Sequence, residues 1–88
     1  MMTNDTQPLR QCRERVFALL VENDPDPKIY PISPPPEGFV VVCVWDHEDG
    51  QAVGTLEEFE KLASSYPDTL RCLYLTVPVA VAEDALRG

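Results

Sequence analysis

Histidine occurs once in this chain, as His47, and glycine four times, at positions 38, 50, 54 and 88. A lone histidine leaves no paired-histidine motif for a catalytic metal. Four scattered glycines spell neither a G-x-G-x-x-G dinucleotide loop nor a G-K-[ST] phosphate loop. Bases are also scarce: seven Lys and Arg stand against fifteen Asp and Glu, a formal net charge of −8. Such a field repels nucleic acid and anionic membrane and draws basic partners. The three cysteines, Cys12, Cys43 and Cys72, are widely spaced and form no C-x-x-C. An odd count without that motif predicts reduced thiols, not a disulfide frame or a zinc site. No apolar run approaches the roughly 18 residues of a membrane span. The opening "MMTNDTQPLRQC" has no basic start followed by an apolar core and a cleavage site. Together these absences predict a cytoplasmic protein with no metal, no cofactor, no membrane contact and no direct nucleic-acid binding.

What is present describes one small domain. Eighty-eight residues, 44% of them hydrophobic and 25% charged, suit a single globular unit spanning residues 1–88. Residues 1–7 read as a flexible N-terminus. The spacing of Leu9, Cys12, Val16, Leu19 and Leu20 predicts a helix over residues 8–23, with Pro8 in its first turn. Phe17 and Val21 fall outside that stripe and widen the apolar surface beyond what one sheet face covers. They need a cover, either the proline-rich segment or another chain. Residues 24–38, "DPDPKIYPISPPPEG", hold six of the nine prolines and predict a stiff, extended connector. A short edge strand is expected at residues 28–32, where proline is tolerated.

The most informative stretch is "FVVVCVWDHEDG". Phe39, Val41, Cys43 and Trp45 would share one face of a strand, with Val40, Val42 and Val44 on the other. A strand apolar on both faces is covered on both, so it belongs inside a sheet. "DHEDG" then reads as a turn and "QAV" as a short returning strand. "TLEEFEKLASSY" carries a capping box, Thr55 with Glu58, ahead of an apolar stripe of Leu56, Phe59, Leu62, Ala63 and Tyr66. "LRCLYLTV" reads as a second core strand ending at Pro78. The tail, residues 79–88, suits either more strand or a short helical turn. The order α-(β)-β-(β)-α-β predicts an α/β or α+β fold, with two helices and a small mixed sheet of three to four strands. A core strand, a crossover helix and an adjacent core strand would form a parallel unit.

No catalytic constellation emerges. Cys43 and His47 are about 13 Å apart on an extended strand, too far for a nucleophile and its base. Asp46, His47, Glu48 and Asp49 are neighbours on a turn and would point in different directions, a poor cage for a cation. The leading expectation is a non-enzymatic, acidic protein-binding module: an adaptor, an assembly subunit or an inhibitor. Phe17 and Val21 would anchor a partner or a second copy of the chain. Asp46, Glu48, Asp49, Glu57, Glu58 and Glu60 would steer a basic one, provided the turn folds near the start of the second helix. Two alternatives remain: an acidic mimic of nucleic acid that inhibits a DNA- or RNA-binding protein, and a small enzyme or metal-binding protein using the turn at 46–49.

Overall fold

The valine-rich stretch forms strand β2 (Phe39–His47), and β2 has a neighbour on each side. The computed structural model describes residues 10–29, 34–47, 50–65 and 71–87. Around β2 stand β1 (Arg10–Gln11), α1 (Glu14–Asn23), β3 (Gly50–Thr55), α2 (Leu56–Ala63), β4 (Cys72–Pro78) and α3 (Val79–Arg87). The sheet order is β1-β3-β2-β4, and every pairing is antiparallel. The result is a small α+β fold.

The alternation along β2 sorts the core into two halves. Val42 and Val44 pack with Val16 and Leu20 of α1 and Ala82 and Ala85 of α3. Cys43 and Trp45 face the other way, against Phe59 of α2 and Ala52, Cys72 and Tyr74. Helices therefore lie on both faces, as a strand without a polar side requires. Full burial of Val42, Val44 and Leu75 contributes roughly 1.5–3 kcal/mol each.

Four expectations need correction. The first helix starts at Glu14, not Pro8, because Arg10 and Gln11 pair with Val53 and Ala52 along an edge of β3 that would otherwise stand open. The N–H of Cys12 extends that seam by donating to the carbonyl of Gln51 at 2.7 Å. The tail forms a third helix, α3, directly after Pro78. The sheet is antiparallel throughout, not mixed. Finally, β2 and β4 are adjacent but antiparallel, because β3 turns the chain around before α2 begins. The strands joined by the crossover helix are β3 and β4. They run in the same direction with β2 between them, a split β-α-β arrangement.

Phe17 and Val21 are half-buried and pack against the core cluster that contains Ala82 and Ala85. Part of the cover they need thus comes from α3. The start of the proline-rich segment protects the free edge of β4. Lys28 exchanges main-chain hydrogen bonds with Tyr74 at 3.0 and 2.7 Å. The Asp24 carboxylate accepts the Thr76 N–H at 2.9 Å. A single bridge at Lys28 takes the place of the expected edge strand; residues 30–33 of that stretch lie outside the described residues. No helix among the described residues is long and apolar enough to cross a membrane.

Candidate functional site

The antiparallel hairpin decides where the acids go. One end of the hairpin is the His47–Gly50 pair, whereas α2 begins after Thr55, which pairs with Val42 at the other end of β3. Four residues of strand, roughly 13 Å, separate Val42 from Asp46. Asp46 therefore lines a cleft at the turn end, together with Trp45, Gln51, Arg71 and Cys72. Glu57 lines a different groove at the opposite end, beside Val41 and Val42. Glu60 is exposed on α2. Glu48 and Asp49 lie outside the described residues, as does the side chain of His47. The described acids thus have separate destinations and do not assemble one patch.

Glu58 is committed to the fold. Its Oε1 accepts the Thr55 N–H at 2.9 Å, and its own N–H donates to Thr55 Oγ1 at 3.0 Å, completing the capping box. The same oxygen accepts a hydrogen bond from Arg10 Nη1 at 2.6 Å, tying α2 to β1. The Arg10 guanidinium holds the Glu58 carboxyl below its ordinary value. A carboxylate with a lowered folded pKa stabilises the native state above its unfolded pKa and loses that contribution as pH falls through the folded value. Both side chains are well exposed, so the pair contributes less than about 1 kcal/mol. Arg10→Gln should lower the thermal midpoint slightly at neutral pH, and the difference from wild type should close on acidification. A gap that persists in acid would show that Arg10 acts through packing alone.

Among the described residues, two concavities are large enough to serve function. The turn-end cleft encloses about 670 Å³. Its inner wall is an aromatic run: Trp45 and Phe59 have ring centroids 5.3 Å apart, and Phe59 meets Tyr74 edge-on at 6.1 Å. Cys72 lines the cleft, while Cys43 lies behind it without exposure. Hydrogen bonds from Cys43, from the Tyr74 hydroxyl and from the Val44 N–H draw the Cys72 thiol below its usual pKa. Cys43 is pushed up by its hydrogen bond to Cys72 and by burial. Burial and the nearby cysteines push Tyr74 up to about 12. Cys72 Sγ also lies 3.4 Å from its donor target, the Leu73 carbonyl.

The second concavity is a groove of about 430 Å³ at the opposite end of β2. It exists because β3 stops too early. Val42 is the last β2 residue opposite β3, and Leu56, which would continue the ladder, turns into α2. Tyr74 and Thr76 direct their main-chain N–H groups away from β2, to Lys28 and Asp24. By the alternation of an antiparallel ladder, Val41, opposite Thr76, directs its own N–H and C=O toward the side that β3 has vacated. Val40, Val41 and Val42 form the floor, and Leu56, Val79 and Leu86 form the sides. Glu57 stands on the α2 wall and Glu83 on the α3 wall. Val79 is 40% exposed there.

No protein-family model matches this chain, and neither the curated proteins nor the solved structures include a significant match to it.

Proposed function

We propose that this chain is a protein-binding module acting through surface contacts without catalysis. Its contact site is the groove at the open end of β2. The occupant we assign is an apolar segment of a partner protein flanked by lysine or arginine. One observation carries this: half-buried Val40 and Val41 lie between two walls that each present a glutamate. The apolar floor would bury the partner's side chains, and Glu57 and Glu83 would meet the flanking cations. The net charge of −8 would speed the approach of such a segment and repel an acidic one. Asp46, Glu58 and Glu60 would contribute to that field from outside the groove lining, and Glu48 and Asp49 would add their charges to it. Phe17 and Val21 already pack on the chain's own core and give a partner little. The three free cysteines fit a reducing compartment, and we place the protein in the cytoplasm.

The test uses a fluorescent amphipathic Leu/Lys peptide and its Leu/Glu counterpart, titrated with the full chain. The Leu/Lys peptide should bind, and salt should weaken it. Glu57→Lys combined with Glu83→Lys should cut its affinity by more than about tenfold, the equivalent of about 1.4 kcal/mol. Equal binding of the two peptides, or indifference to the charge reversal, would overturn the assignment. Self-association that Val79→Asp abolishes would instead make a second copy of the chain the occupant.

A further inference from the structure

Cys43 and Cys72 meet only because β2 and β4 are antiparallel neighbours. Cys43 lies opposite Tyr74, and Trp45 lies opposite Cys72, so the two cysteines are diagonal neighbours on the face covered by α2. Both side chains belong to one buried cluster, close enough for each to perturb the other's pKa. Diagonal positions across a strand pair hold Cα atoms about 7–8 Å apart. A disulfide requires about 4.4–6.8 Å. The sulfurs can therefore touch, but an S–S bond would require the backbone to move. Zinc is poorly served as well, because it asks for four ligands. Among the described residues no group of three His, Cys, Asp or Glu side chains is placed to hold a metal.

Two facing sulfurs with no third ligand match the needs of a soft cation that accepts two-coordinate thiolate binding. We propose that Cys43 and Cys72 form a two-sulfur site for a soft monovalent cation of the Cu(I) type, entered from the turn-end cleft through Cys72. Two S–H bonds break, two sulfur–metal bonds form, both protons leave to water through the cleft, and no electron is transferred. Tyr74, packed in the same cluster as Cys72, would orient that sulfur from outside the coordination sphere. The aromatic wall of Trp45 and Phe59 would shield the ion from water on one side. Cys12 belongs to the opposite core half and serves as an internal control.

The experiment delivers Cu(I) anaerobically to the full chain from a competing chelator. One ion per chain should bind, and X-ray absorption should find two sulfur neighbours with no nitrogen or oxygen. Cys43→Ser and Cys72→Ser should each weaken binding by more than about tenfold, since loss of an outer-shell partner alone costs 10–100-fold. Cys12→Ser should bind as wild type does, and Zn(II) should not compete. Retained affinity in either serine variant, or loss of it in Cys12→Ser, would overturn the site. If a serine variant does not fold, the coordination seen in the wild-type spectrum decides: any environment other than two sulfurs rejects the proposal.

Discussion

Trp45→Ala should lower the thermal midpoint by roughly 15–30 °C and leave the chain close to unfolding at physiological temperature. Removing a large buried aromatic costs about 3–5 kcal/mol. A domain of this size shifts its midpoint by about 4–8 °C for each kcal/mol. Total stabilities of roughly 5–15 kcal/mol leave little after such a loss. Trp45 joins the α2 half of the core: it is 2% exposed, contacts Phe59, and shares a cluster with Cys43, Ala52, Cys72 and Tyr74. No other indole is present to fill the space. The strand opposite is shaped to receive it. A Cβ on Gly54 would sit 3.0 Å from Trp45 Cη2 and 2.8 Å from Glu58 Oε1, so the glycine makes room for both the ring and the capping carboxylate. The indole Nε1 is buried without a hydrogen-bond partner. Trp45→Phe keeps most of the ring and removes that unpaired donor, and it should therefore cost far less than the alanine change. Circular dichroism melts of the two variants check this. An alanine variant melting within a few degrees of wild type would mean that α2 does not depend on this contact.

Val79→Asp should abolish detectable binding of the Leu/Lys peptide while leaving the fold intact. Val79 is the first residue of α3 and is 40% exposed, so its side chain contributes little to the core. An aspartate in the first turn of a helix is favoured by the helix dipole. The same carboxylate would stand on the wall of the groove, where an incoming apolar side chain would have to strip it of water. Stability and binding should separate in this variant: an unchanged melt with affinity lowered by well over about tenfold, several kcal/mol being the usual cost of an uncompensated buried charge. Unchanged affinity would place the contact elsewhere on the surface.

The parts of this molecule that were legible in the sequence are those set by local chemistry. Thr55 and Glu58 close the capping box as their spacing indicates, because the bond they make lies within one helical turn. The double-sided apolar pattern of residues 39–45 places β2 inside the sheet, since no polar face is left for water. What escaped depends on partners distant in sequence. Arg10 and Gln11 fit a helical pattern through Cys12 and Val16, but the open edge of β3 recruits them as strand. "VAVAEDALR" alternates like a strand at its start, yet Pro78 ends the ladder and the chain packs as α3 against α1.

The groove had no signature at all. Its floor and walls come from β2, α2 and α3, brought together because the β2–β3 ladder ends at Thr55. The thiol pair was hidden for a related reason. A parallel β2–β4 unit offers no ground for placing Cys43 beside Cys72, and only the antiparallel register does so. Among the described acids, Asp46 and Glu57 are held apart because the His47–Gly50 end of the hairpin and the start of α2 lie at opposite ends of β3.

The vacated side of β2 is the surface on which the proposed partner segment docks. Amide shift mapping of the isotope-labelled chain during titration with the Leu/Lys peptide addresses that directly. The largest shifts should fall on Val40, Val41, Val42, Leu56, Val79 and Ala82, with Arg71, Cys72 and Leu73 at the far cleft unmoved. Shifts centred on α1 around Phe17 and Val21, or on the turn-end cleft, would contradict it.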